Sequence, residues 1–512
     1  MNKSHYRIKQ QKFIQFRLSV LLLIWLMAAC APQNNKPFPY LNLLESQSAT
    51  PTVSPTSLPT RPVYKPGELV DYIAQTGDTL PALAGHFNTT IREIRENNPI
   101  LPPDVTTLPA GLPMRIPIYY QPLWGSYFQI IPDSLFVNGP AQVGFDTVEY
   151  VNAQPGWLKD YRDYVSGEPR RGGELIQSVA ENFSISPRLL LAIIEYQTGA
   201  LTQTSMPDSD TFQDYPLGYK DPYKQRLYQQ LIWAANTLNN VYYGWRIGDF
   251  NTFDHLDGSQ ERPDPWQNAA SVALRYYYAQ ILPEETFNHA THADGLLRTY
   301  TSLFGDPWQS VQPHIPGSLQ QPEFRLPFAP GKNWAYTGGP HTGWGTGEPF
   351  AAVDFAPPNI KSGCAYTDEP ALTIADGVIS RTGTGLAILD LDGDGDERTG
   401  WSILYLHLAT RTIPRVGTRL SAGSPIGLPS CEGGKTTGTH VHIARKFNGE
   451  WINADSTLAF DMEGWVAKNG GAAYDGSLVK YGRTVRASAI SDRISHIQSE
   501  KPVEMQPEPL IQ

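Results

Sequence analysis

Four of the chain's eleven histidines, His341, His407, His440 and His442, fall within about a hundred residues, each in a short strand-like or Gly-rich stretch. Asp354 follows His341 by thirteen residues within Ala352-Val353-Asp354-Phe355, which sets one imidazole and one carboxylate at the rim of a strand. Gly438-Thr439-His440-Val441-His442-Ile443 alternates as a strand does, and residues i and i+2 of a strand project from one face, so His440 and His442 converge. Two histidines and one aspartate suit a catalytic zinc, which keeps its fourth position for water and polarises a carbonyl; a structural zinc more often uses cysteines and closes all four positions. The remaining histidines, one from the His-x-His pair and His407 in Leu404-Tyr405-Leu406-His407-Leu408, are suited to orient that water, shuttle its proton and stabilise an oxyanion. Any one of these histidines alone reads as an ordinary core or surface group.

The elements around them are short strands separated by Gly-rich turns. Residues 324 to about 465 resemble the lysostaphin-like and LasA-like (beta-lytic) zinc endopeptidases of peptidoglycan. The resemblance rests on GGPHTGWGTGEPFAAVDFAP, IADGVISRTGTGLAILDLDGDGDERTGWSILYLHL and VGTRLSAGSPIGLPSCEGGKTTGTHVHIARKFNGEW, in that order. It implies His341, Asp354 and His442 as zinc ligands, His440 and His407 as catalytic histidines, and a largely antiparallel β fold with loops walling a groove. The long spacing from His341 to Asp354 resembles the LasA-like branch rather than the His-x-x-x-Asp form. All implied ligands are present, so the inactivated relatives that act as amidase activators match less well.

Between two strand-like runs lies Asp390-Leu391-Asp392-Gly393-Asp394-Gly395-Asp396-Glu397. Acids at positions 1, 3 and 5 with glycine at 6 resemble the start of a calcium loop, with Asp390, Asp392, Asp394 and Asp396 as candidate ligands. Position 12, where an EF-hand needs a bidentate Glu, is Trp401, and the flanks are strands; a solvated acidic hairpin tip is the competing reading.

Residues 121–318 carry helical patterns over Gly173–Phe183, Pro187–Thr198, Tyr223–Trp245, Trp266–Ile281 and Gly295–Phe304, predicting a mostly helical middle domain. Ser186 is a plausible N-cap with Pro187 at the first helical position, and the apolar run stops at Gly199. This helix resembles the catalytic-acid helix of lytic transglycosylases and goose-type lysozymes, which would make the domain lysozyme-like. Gln197, however, stands where that family has its Glu, and Glu195 lies about 200° around the helix from it. Either Glu195 serves as a glycosidase acid through a different helix rotation, or the domain binds or spaces.

Residues 68–120 read as short strand, two short helices, short strand, with Thr79 able to cap the first helix. The stretches YIAQTGDTLPALAGHF, TTIREIRENNP and LPAGLPMRIP resemble a LysM domain, which implies binding of N-acetylglucosamine-containing glycan; a spacer that kept the fold and lost the groove is the alternative.

The fold class expected is therefore multidomain: a βααβ LysM module (68–120), a mostly α-helical middle domain (121–318) and a mainly antiparallel β peptidase domain (319–470). A C-terminal extension (471–512), polar and partly without fixed structure, follows. In a chain of 512 residues, 40% hydrophobic residues supply several cores and exclude wholesale disorder. A net charge of −10 has the wrong sign for a nucleic-acid partner.

Residues 1–29 hold five cations, no acid, and an apolar run from Leu18 to Ala29 before Cys30, which reads as an export signal. At twelve residues the run is short for a membrane span, and Ala28-Ala29-Cys30 resembles a bacterial lipobox with Met27 where Leu is commoner. Cleavage would leave a lipidated Cys30 on the outer face of the membrane; an ordinary signal with an incidental Cys, or an uncleaved anchor, are the alternatives. Losing those five cations takes the net charge from −10 to −15. Residues 30–67 are rich in Pro, Ser and Thr and read as a tether. With Cys30 set aside, Cys364 and Cys431 are an even pair outside the cytoplasm, expected to form a disulfide rather than free thiols or zinc ligands; their 67-residue separation lacks the close spacing of a zinc knuckle. Such a bridge would brace loops of the peptidase domain. The partners expected are the glycan and peptide of the cell wall and the membrane itself.

Overall fold

The computed structural model describes residues 62–500 apart from 121–124, 166, 310 and 359–362. The export signal, Cys30 and most of the tether lie outside the described residues, as do residues 501–512. At the N-terminal side β1 (Glu68–Ile73) pairs antiparallel with β2 (Pro113–Ile118), and α1 (Leu80–His86) and α2 (Ile91–Asn97) lie between them in sequence. The caps are those the sequence predicts: the Thr79 hydroxyl accepts from Ala82 N at 3.3 Å, and Thr90 and Glu93 cap α2 reciprocally. Val70, Tyr72, Leu83, Phe87, Ile94 and Ile116 close a small core of their own. The order of elements is therefore βααβ, as read from the sequence.

The middle region contains α3 (Gly172–Phe183), α4 (Pro187–Thr198), α5 (Arg226–Ile247), α6 (Ala269–Ala279), α7 (Glu284–Ala290) and α8 (Arg298–Phe304). Ser186 caps α4 through Leu189 N, and Gly199, at φ +62°, ends it in the left-handed conformation that favours glycine. The βααβ module is seated on α5: His86 stacks on Trp245 at 3.6 Å and shares a 2.8 Å hydrogen bond with its carbonyl. A Cβ at Gly85 would come within 2.4 Å of Gly248 O, so only glycine permits this approach.

The following strands are β3 (Asn333–His341), β4 (Ala352–Ala356), β5 (Gly377–Gly383), β6 (Leu386–Asp390), β7 (Trp401–Leu406), β8 (Arg419–Leu420), β9 (Val441–Phe447) and β10 (Glu450–Trp451). Then come β11 (Asp461–Met462), β12 (Trp465–Asn469), β13 (Gly476–Lys480), β14 (Arg483–Arg486) and β15 (His496–Gln498). The main sheet runs β8-β5-β6-β7-β9-β4-β3-β15, with β10 added to β9, and its pairings are antiparallel.

Strands β6 and β7 are apolar almost throughout because both faces are covered. Leu386, Ile388, Leu404 and Leu406 join the core of the helical region, whereas Ala387, Leu389, Ile403 and Tyr405 join a second core beneath the sheet. The helical region and the sheet thus share a packed core along one face of β6 and β7.

Regular structure continues past residue 471 into the segment expected as a C-terminal extension, as far as residue 498, and residues 501–512 lie outside the described residues. Strands β11–β14 form a four-stranded sheet spanning 461–486, and β15 pairs with β3 at the edge of the main sheet. Polar composition there reflects exposed strand faces; Leu478, Val485 and Ile497 point into the second core.

Candidate metal and catalytic centre

Strand register assembles the centre. On β9 His442 lies opposite Asp354 of β4 on one side and Leu406 of β7 on the other, so His407 follows at the end of the neighbouring strand. Gly338 of β3 lies opposite Asp354, and a Cβ there would sit 2.5 Å from Asp354 Oδ2, so the carboxylate occupies space that a side chain would fill. His341 ends β3.

Three donor atoms converge. His341 Nε2 lies 2.9 Å from His442 Nδ1 and 3.3 Å from Asp354 Oδ1, and His442 Nδ1 lies 3.2 Å from Asp354 Oδ1. Tetrahedral zinc with ligands at about 2.0 Å separates its donor atoms by about 3.3 Å, which this triangle approaches. The opposite ring nitrogens fix the lone pairs: His341 Nδ1 donates to Gly339 O at 2.8 Å and His442 Nε2 to Gly343 O at 3.2 Å. Both remaining nitrogens then present lone pairs to each other and to a carboxylate, an arrangement that needs a cation between them. Asp354 Oδ1 is buried with no hydrogen bond of its own. The residues present fit a zinc ion.

Charge in the centre is strongly shifted. Burial opposes the ionised form of Asp354, but His341 and His440 outweigh it and hold the carboxyl well below its ordinary range. Burial also opposes charge on His341, yet Asp354 prevails and raises it, while His442 is lowered by burial.

His440 and His407 flank the triangle. His440 Nδ1 donates to Gly438 O at 2.8 Å and Nε2 lies 3.6 Å from Asp354 Oδ2. His407 Nδ1 donates to Glu432 O at 2.8 Å, and its ring centroid lies 4.7 Å from that of His440. Burial, then the neighbouring His440 and His442, push His407 down to about 4, so it is neutral at pH 7. Its backbone is left-handed, at φ +62°, a conformation sparsely populated by residues other than glycine.

Cys364 and Cys431 are joined in a disulfide with Cα atoms 5.7 Å apart. The bridge links two loops that serve the histidines. Glu432, next to Cys431, supplies the carbonyl for His407; Gly363, next to Cys364, accepts from Thr439 N at 3.0 Å beside His440.

Several contributors leave no mark in the sequence. Tyr474, on the turn between β12 and β13, stacks on His341 at 4.1 Å, and Gly339 N donates to its carbonyl at 2.7 Å. Two residues of α5 hold the loop after His341. Asn236 Oδ1 accepts from Thr346 N at 2.7 Å; Asn240 accepts from Glu348 N and donates to Thr346 O, both at 2.8 Å. That loop carries Gly343, whose carbonyl orients His442. Asn236 and Asn240 sit four residues apart on a helix, a spacing that marks a common face but not its partner.

Glu195 is not brought to this centre. Its Oε2 accepts from Leu201 N and its Oε1 from Thr202 Oγ1, both at 2.6 Å, so the carboxylate fastens the turn after α4. Gln197 bridges Tyr277 OH and Leu217 O. Of the acidic hairpin, Asp390, Asp392 and Asp394 come together; Asp396, expected as a fourth candidate ligand, instead pairs with Arg398, which corrects that expectation: Arg398 Nε and Nη2 reach its two oxygens at 2.7 and 2.6 Å.

Residues 129–317 match the family model described as the N-terminal domain of LasA. The chain is 23% identical to Protease LasA of Pseudomonas aeruginosa over 341 residues, covering 63% of this chain and 74% of that protein. Among solved structures, the metalloprotease pseudoalterin from the deep sea is similar at 23% identity, covering 33% of this chain and 96% of its own, with a TM-score of 0.28. The catalytic domain of lysostaphin from Staphylococcus simulans is similar at 24% identity, covering 24% and 89%, with a TM-score of 0.18.

Proposed function

We propose that this chain is an exported zinc endopeptidase that cleaves peptide stems or cross-bridges of peptidoglycan, held to the membrane through a lipidated Cys30, with residues 68–120 engaging wall glycan. The observation that carries the reading is the convergence of His341 Nε2, His442 Nδ1 and Asp354 Oδ1, with two further histidines on the same side. The similarity to Protease LasA supports a protease.

Bound by those three atoms, zinc would supply Lewis acidity toward the scissile carbonyl and lower the pKa of water. The chain's own residues do the rest. His440, with its proton fixed on Nδ1 by Gly438 O, offers Nε2 to take a proton from the attacking water. His407 keeps its Nδ1 proton on Glu432 O, so its Nε2 carries a lone pair that can accept a hydrogen bond from the attacking water, while the proton taken up by His440 is the one returned to the leaving amine. Covered faces on the sheet and the loop held by Asn236 and Asn240 keep His341 and His442 from relaxing onto other partners.

The test uses the full chain, zinc-loaded, on purified peptidoglycan, reading turbidity, new peptide amino termini and fragment masses. Wild type should release amino termini in a chelator-sensitive manner. His440→Ala should keep about one zinc per chain and bind the wall while losing release by about 10²–10⁴-fold. Undiminished release by this variant, or release of sugar ends in place of amino termini, would refute the reading.

A further inference from the structure

The hairpin tip between β6 and β7 is remote from the zinc ligands: β7 runs from it toward His407 over six residues, about 20 Å at 3.4 Å each. Asp390 ends β6 fully buried. Its Oδ2 accepts from Gly393 N at 3.1 Å and Gly395 N at 2.8 Å, but its Oδ1 is buried without a hydrogen-bond partner. One oxygen from each of Asp390, Asp392 and Asp394 lies within 4.8 Å of the other two.

The nearby cations are committed elsewhere. Arg398 pairs with Asp396, Arg381 and Lys446 pair with Glu397, and Arg419 donates to Gly393 O at 3.1 Å. Among the described residues, none of the three aspartates forms an ion pair with Lys, Arg or His. Three carboxylates, one buried with an orphaned oxygen, are unfavourable together unless a cation joins them.

The donors are all oxygen, which selects a hard cation over zinc. The Asp-x-Asp-x-Asp-Gly spacing of residues 390–395 matches the opening positions of a calcium loop, which among hard cations favours calcium. Gly393 and Gly395, at φ +82° and +85°, let the loop fold back over Asp390.

We propose that Asp390, Asp392 and Asp394 bind one calcium ion at this hairpin tip, distinct from the zinc centre. Trp401 stands where an EF-hand has its bidentate Glu, so affinity falls in the 10⁻⁴–10⁻³ M range typical of extracellular modules. The ion would also fix contacts to the helical region and to the turn between β9 and β10, since from this loop Arg398 Nη1 donates to Gln142 O at 2.8 Å and Gly400 N to Asn448 Oδ1 at 2.8 Å.

The test uses the full, zinc-loaded chain. Terbium should give saturable luminescence sensitised through Trp401 and be displaced by calcium. Calcium at tenfold over its Kd should raise Tm by about 2 °C. The paired Asp392→Asn and Asp394→Asn variant alters exposed side chains, so folding and zinc content should be unchanged, checked by circular dichroism and metal analysis. Its calcium affinity should fall at least tenfold, with magnesium a poor substitute in wild type. No saturable terbium or calcium response in wild type, or an equal response in the variant, would overturn the proposal.

Discussion

Glu450→Gln tests whether helices and sheet are one folded unit. Glu450 sits buried on β10 and accepts from Tyr242 OH at 2.8 Å, Arg246 Nη2 at 3.1 Å and His314 Nε2 at 2.6 Å; Arg246 in turn lies 3.3 Å from Asp133. Burial opposes its charge, but Arg246 and His314 outweigh it and hold Glu450 down at about 2. A carboxyl depressed from its ordinary 4.5 to about 2 contributes about 3 kcal/mol of stability. That contribution is present above about pH 4.5 and is lost as pH falls through 2. The amide would leave Arg246 undercompensated in the interior, at a cost of about 3–5 kcal/mol at pH 7. At about 2 cal/mol/K per residue, a unit of about 440 residues has an unfolding entropy of about 0.9 kcal/mol/K, so Tm should fall by about 3–5 °C. Calorimetry and tryptophan fluorescence of the zinc-loaded chain should show one transition moving by that amount, with the gap to wild type narrowing below pH 4.5. A shift under about 1 °C, or two transitions of which only one moves, would refute the continuous core.

His407→Ala should lower peptide release by about 10²-fold or more while zinc content stays at about one per chain, measured by mass spectrometry and amino-terminal labelling. Tyr474→Ala removes the ring stacked on His341 and should weaken zinc affinity by about 10–100-fold in a competition titration, whereas Tyr474→Phe keeps the stack and should be close to wild type. Replacing Cys364 and Cys431 by serine opens a loop of 67 residues and should cost up to about 4 kcal/mol in denaturant unfolding, with activity falling because the loops beside His407 and His440 loosen.

Much of the centre is legible from residue order. The His-x-His pair predicts convergence because strand geometry has period two, and His440 and His442 do both face Asp354. Caps are equally local: Thr79, Thr90 with Glu93, and Ser186 each satisfy donors within three residues, so the sequence determines where those helices begin. Even the disulfide is anticipated by counting cysteines once the N-terminal segment is read as an export signal.

Only tertiary structure decided what covers these elements. Tyr474 reaches His341 across 133 positions, and Tyr242 reaches Glu450 across 208, contacts with no periodicity or spacing to announce them. The same holds for acids whose type is visible but whose partner is not. Glu195 became a turn fastener and Asp396 an arginine partner because backbone folding placed donors beside them, while Asp390 was buried by the same folding with one oxygen unspent. A sequence specifies which groups can ionise, ligate or cap; which of them still have free lone pairs depends on neighbours supplied by distant segments.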